Sequence, residues 1–140
     1  MNIKARAYLG VVCLGSLAIL VSGSLELNLQ EHLSALIILT VGSFLTQVYE
    51  LEVQPKWFFS THLAVATTAV FIGGISLGIW VLLLSTFPAE ILLRWDRLKE
   101  GLGRLLAPVL FNTAQLILSV SVAALVFDQA QTLLPGDRGY

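Results

Sequence analysis

The chain has 140 residues, of which 56% are hydrophobic and 12% are charged, and its net charge is −1 at pH 7. A soluble globular domain carries roughly 25% charged residues, and the mean hydropathy here is +0.84. These values exclude an ordinary water-soluble domain and give no indication of nucleic-acid binding. The apolar residues form long blocks, which predicts an all-α bundle of about five membrane-spanning helices in a single domain.

The first apolar block covers residues 7–22 and follows Lys4 and Arg6. A basic start, an apolar centre and small residues at its end also fit a cleaved secretory signal. Because further apolar blocks follow, we favour a first transmembrane helix with the N-terminus in the cytosol.

The second predicted span, residues 33–48, carries a stripe of polar residues. Thr40, Ser43, Gln47 and Glu50 are separated by three, four and three positions, which places them on one helical face. Two interpretations stay open: hydrogen bonds that join helices, or the wall of a polar cavity. Residues 50–56 are predicted to form a loop, because the residue before a proline disfavours helix.

The long apolar stretch from residue 57 to residue 93 requires a break. As one straight helix it would be about 55 Å long, against a hydrocarbon core of about 30 Å. Gly73 and Gly74 are adjacent near its middle, and consecutive glycines mark turns. We therefore predict two spans, residues 58–72 and 76–93.

The distribution of Lys and Arg also favours five spans over four. Since basic residues prefer the cytoplasmic side, five spans leave only Arg138 outside, whereas four spans would divide the basic residues equally. This predicts a multi-pass protein of the cell's inner (plasma) membrane with its N-terminus in the cytosol. Residues 94–104 form a cytosolic loop, either solvated or a docking surface for a cytosolic signalling partner. Its basic residues are Arg94, Arg97, Lys99 and Arg104.

The fifth span is predicted over residues 105–127, with Pro108 in its first turn. Asn112, Gln115 and Ser119 share one face by their spacing. We expect the polar tail, residues 128–140, to lie outside the membrane.

The sequence contains no recognisable catalytic or metal-binding motif, and we predict no enzymatic activity and no cofactor. Polar groups inside a membrane are candidate functional groups. For Glu90, an ion pair with Arg94 and a ligand or proton site are both open. Asn112 and Gln115 need partners from another helix, either Glu90, Thr86 or the stripe that ends at Glu50. The candidate ligand-binding residues are Asn112, Gln115, Glu90, Glu50 and Gln47.

The order of several short motifs resembles a known group of membrane regions. A loop glutamate (Glu50), a span that begins at Ser60 and an Ile-Gly-Gly turn are followed by FPAEILLRW and LFNTAQLILSV. This order resembles the N-terminal multi-pass region of bacterial signalling proteins that precedes HD-GYP phosphodiesterase, diguanylate cyclase or histidine kinase modules. That family has Gly-Pro where Gly73-Gly74 stands and usually Asp where Glu90 stands. Its Phe-Asn-x-x-Gln motif is matched at Phe111, Asn112 and Gln115.

The resemblance implies a sensory or ligand-binding membrane module whose output domain is missing from the chain. A more distant likeness to the substrate-binding S subunits of ECF-type vitamin transporters implies a small-solute-binding transport component. A third possibility is a purely structural membrane protein. All three fit a helical bundle in a lipid bilayer.

Overall fold

A computed structural model describes residues 3–49, 51–54, 57–59 and 61–133. This part of the chain contains four long helices: α1 (Ile3–Glu26), α2 (Leu29–Val48), α3 (His62–Leu93) and α4 (Leu102–Leu133). A small hairpin of β1 (Leu51–Gln54) and β2 (Trp57–Phe59) precedes α3, and a 3-10 helix (Trp95–Glu100) separates α3 from α4. The predicted all-α fold class is confirmed. All four helices are long and apolar enough to cross a membrane, which indicates a membrane protein.

Helix α3 folds back on itself at Gly73 and Gly74. Both residues have non-helical backbone angles, and Gly74 has φ 73° and ψ −177°, a region open almost only to glycine. A Cβ atom on Gly78 would touch Val70 and would lie 3.4 Å from the Ala66 carbonyl oxygen. In a straight helix Ala66 and Gly78 would be about 18 Å apart. The predicted break is therefore confirmed, and α3 consists of a short arm (62–72) and a long arm (75–93).

The short arm begins later than the sequence predicted. Residues 57–59 form a strand rather than helix, and they pair antiparallel with β1. The residue types agree with this, because Trp and Phe are enriched in strands. The prediction of helix from residue 58 is therefore wrong. The prediction of an irregular loop is also wrong over β1, while residues 50, 55, 56 and 60 lie outside the described part.

The short arm rises only about 16 Å, half of a typical hydrocarbon core. It is therefore too short to cross a bilayer on its own. The long arm is of full length and runs alongside α2 in the same direction. Leu36 of α2 packs near Leu77 and Val81, and one to two turns further along Ser43 meets Ser85.

Contacts between helices define two ends of the bundle. At one end Phe71 and Phe127 pack edge to face with ring centroids 5.6 Å apart. At the other end Tyr8 and Phe111 are 5.9 Å apart. Beyond this second pair, Arg6 of α1 and Arg104 of α4 line the same cavity. We call this second end the basic end, and its described Lys and Arg residues are Lys4, Arg6, Arg94, Arg97, Lys99 and Arg104.

The core lies where α1, α4 and both arms of α3 meet. Ile79 and Leu82 of the long arm pack with Ile117 of α4 and with Ala66 of the short arm, all nearly inaccessible. A second cluster packs Leu36 of α2 against Ala69, Leu77 and Val81 of α3, while the other side of α2 is open to the surroundings. Its exposed large apolar residues are Leu29, Leu33, Ile37, Ile38, Val41 and Leu45. Such a surface is expected to face lipid.

Helix α4 extends past both predicted boundaries. It begins at Leu102 rather than at residue 105, so Pro108 lies inside the helix and not in its first turn. It also continues through residues 128–133, which were assigned to the polar tail beyond the predicted span. Residues 134–140 lie outside the described part.

Candidate polar site near the basic end

Glu90 is the centre of a hydrogen-bonded group that joins two helices. Its residue surface is 9% exposed. The Asn112 amide nitrogen Nδ2 donates to Glu90 Oε1 at 3.2 Å, and Arg94 Nε donates to Oε2 at 2.6 Å. Both carboxylate oxygens therefore have a partner, as a buried charge requires. The Glu90–Arg94 ion pair is confirmed, and of the partners considered for Asn112 the structure selects Glu90.

Local geometry explains how these three side chains meet. Glu90 and Arg94 are four residues apart on α3 and so share a face. Gly101, with φ 116°, follows the 3-10 helix at the point where the chain turns back into α4. Glu90 and Asn112 stand at equal distances from Gly101 along the chain. The return of the chain therefore brings them to the same depth in the bundle.

Toward the basic end, three buried polar atoms have no hydrogen-bond partner among the described residues: Gln47 Oε1 of α2, Thr86 Oγ1 of α3 and Thr113 Oγ1 of α4. Further from that end, Thr40 Oγ1 and Trp80 Nε1 are also without one. Thr86 precedes Glu90 by one helical turn, and Thr113 follows Asn112 directly. A buried polar atom without a partner costs roughly 1–3 kcal/mol. Each of the three atoms toward the basic end leaves a hydrogen-bonding position that water, a ligand or a repacked side chain could fill.

The polar stripe of α2 fits each of its two interpretations at a different residue. The Ser43 and Ser85 hydroxyl oxygens lie 2.9 Å apart, and both residues are fully buried. This contact fits a hydrogen bond that joins helices. Gln47 lies one turn closer to the basic end, is 5% exposed and keeps an unpaired carbonyl oxygen. It fits the wall of a polar site, whereas Glu50 lies outside the described residues.

Gln115 does not belong to this site. Its side chain is exposed, so the prediction that it faces the interior is wrong. The buried face of α4 is formed by residues spaced three or four apart, namely Leu105, Val109, Thr113, Ile117 and Val120. Asn112 stands at the edge of this face, and Gln115 and Ser119 lie beyond it. The same spacing of apolar residues was a signal in the sequence for Thr113, which the prediction missed.

Within the described residues no group of three or more His, Cys, Asp or Glu side chains is placed to hold a metal ion. The chemistry available at the site is hydrogen bonding and charge pairing. It can bind a small polar group, or it can exchange hydrogen-bond partners when the helices shift.

Comparisons with protein-family models, with curated proteins and with solved structures find no match.

Proposed function

We propose that the protein is the sensory, ligand-binding membrane module of a bacterial signalling system, with its basic end in the cytosol. The observation that carries this proposal is the double contact of Glu90. Through Asn112 the carboxylate connects α3 to α4. The same carboxylate accepts from Arg94, which is the residue directly before the 3-10 helix.

The proposed mechanism is an exchange of hydrogen-bond partners. A ligand that pairs with Gln47, Thr86 or Thr113 supplies a hydrogen bond that the side-chain oxygen of that residue lacks. Its binding changes how α2, α3 and α4 pack. A ligand shifts an equilibrium only by its different affinity for the two states. Because Arg94 is bonded to Glu90, a shift of α3 against α4 moves the start of the 3-10 helix. The exposed Arg97 and Lys99 would then present a different surface to a cytosolic partner.

The orientation has a direct test by cysteine labelling. In a Cys13→Ala background, a cysteine at position 99 should react with an impermeant maleimide only after the cells are opened. A cysteine at position 30, exposed at the start of α2, should react in intact cells. The reverse pattern would place the basic end outside the cell and contradict the proposed orientation. That orientation is based on the preference of basic residues for the cytoplasmic side.

The coupling is tested by electron paramagnetic resonance in lipid nanodiscs. Nitroxide labels at positions 4 and 99, again without Cys13, report the distance between α1 and the 3-10 helix. Glu90→Gln removes the charge that holds Arg94, so the distance distribution should shift or broaden. Glu31→Gln is the charge-matched control, because Glu31 is exposed at the start of α2, at the end of the bundle opposite the basic end, where its carboxylate accepts from Asn28.

If both variants leave the distribution unchanged, the Glu90 contact does not control the basic segment and the signalling mechanism fails. An equal change in the distance distributions of the two variants would likewise show that Glu90 has no specific effect on the 3-10 helix.

A further inference from the structure

A cleft at the basic end opens between α1 and α4. Its volume is about 650 Å³, and its apolar wall includes Tyr8, Pro108 and Phe111. Phe111 is next to Asn112 and so lies at the depth of the polar site. Arg104, two turns nearer the end of α4, lines the same cleft about 10 Å further out. The cleft therefore runs from the apolar depth of the bundle to its charged end.

The outer part of the cleft carries an excess of positive charge. Arg97 and Arg104 line it together with Glu100. An adjoining cavity of about 430 Å³ shares Glu100 and Arg104 and adds Arg6. Arg104 donates to Glu100 at 3.1 Å, so this carboxylate already has a cationic partner. Within the described part of the chain, Arg6 and Arg97 have no ion pair.

We propose that this cleft is a binding site for an anionic glycerophospholipid. Arg97 and Arg6 bind its phosphate, and the glycerol and upper acyl chain lie over Tyr8 and Phe111. Guanidinium groups match phosphate oxygens in a bidentate geometry. Basic pockets between membrane helices are suited to acidic headgroups. The order of the lining, apolar toward the bundle and basic toward the end, is the order of chain and headgroup in a lipid leaflet.

This site is separate from the Glu90 group and does not depend on a role in signalling. The cleft lies between α1 and α4, whereas the orphaned polar atoms belong to α2, α3 and α4. A lipid bound here would bridge α1 to the 3-10 helix.

The test is native mass spectrometry of the purified protein, titrated in micelles with phosphatidylglycerol or phosphatidylcholine. We expect phosphatidylglycerol to bind at least about tenfold more tightly, and Arg97→Gln to weaken it about tenfold, the value of one charge-assisted hydrogen bond. Lys99→Gln removes the same charge from the same 3-10 helix but does not line the cleft. It should change the affinity less than about twofold if contacts in the cleft govern binding.

Two outcomes would overturn the proposal. Equal losses in the two variants would mean that the lipid responds only to the overall charge of this end. Displacement of the lipid by millimolar inorganic phosphate or glycerol phosphate would identify a soluble phosphate as the ligand. A Tyr8→Ala variant should also lose affinity for phosphatidylglycerol, and thermal unfolding of each variant without lipid checks that the fold is retained.

Discussion

Asn112→Leu is expected to destabilise the protein by about 1–2 kcal/mol, because it leaves Glu90 Oε1 without its donor. Gln115→Leu, three residues along the same helix, should have little effect or a stabilising one. Its amide is exposed, and replacing it with an apolar side chain removes a polar group from the lipid-facing surface. Reversible unfolding in mixed micelles, followed by circular dichroism, measures both variants against the unmodified protein.

A double-mutant cycle distinguishes the Glu90–Asn112 contact from a general effect of polarity. Glu90→Leu also removes the partner of Arg94, so it should cost more than Asn112→Leu. The two changes together should cost less than the sum by about 0.5–3 kcal/mol, as expected for residues in contact. The Glu90→Leu and Gln115→Leu pair should be additive. Additivity of the Glu90 and Asn112 variants would show that the two side chains do not interact.

Gly78→Ala is expected to produce a net loss of about 1–2 kcal/mol. The new Cβ atom would overlap Val70 on the facing arm of α3, and overpacking of this kind costs about 1–3 kcal/mol. The higher helix propensity of alanine recovers about 0.5–1 kcal/mol of it. The expected loss therefore depends on the close approach of the two arms. The same unfolding measurement applies.

The matched control is Gly42→Ala in α2, where an added Cβ atom has no neighbour within 4 Å. Here only the gain in helix propensity remains, so the variant should be stabilised by about 0.5–1 kcal/mol. The two glycine variants are thus expected to have opposite signs. If Gly78→Ala is stabilising to the same extent, the arms of α3 are not packed as the structure places them.

Hydropathy and helix length were sufficient to predict much of the fold. A block from residue 57 to residue 93 exceeds the bilayer thickness, so a break was required, and Gly73-Gly74 was the only pair of consecutive glycines in it. The i to i+4 spacing of Glu90 and Arg94 was equally local, and the ion pair it predicted is present. These predictions succeeded because chain length and helical periodicity depend on sequence neighbours alone.

Which polar residues face one another could not be obtained in this way. Asn112 and Gln115 are equivalent in spacing and residue type, yet one bonds to Glu90 and the other is exposed. The difference depends on the rotation of α4 against α3, which is set by the packing of the buried face of α4, including Ile117 against Ile79 and Leu82. The strand before the short arm was missed for a similar reason, since β2 is held by its pairing with β1, which lies earlier in the chain.

The sequence by itself determined that this is an apolar helical bundle, where its third apolar block must bend, and that its basic residues concentrate in a few segments. Only the tertiary structure decided that Glu90 joins Asn112 to Arg94, and that Arg6, Arg97 and Arg104 line adjoining cavities at one end. The physical reason is that hydropathy and periodicity are properties of one helix. A hydrogen bond or a cleft between helices depends on how each one is rotated and tilted against its neighbours.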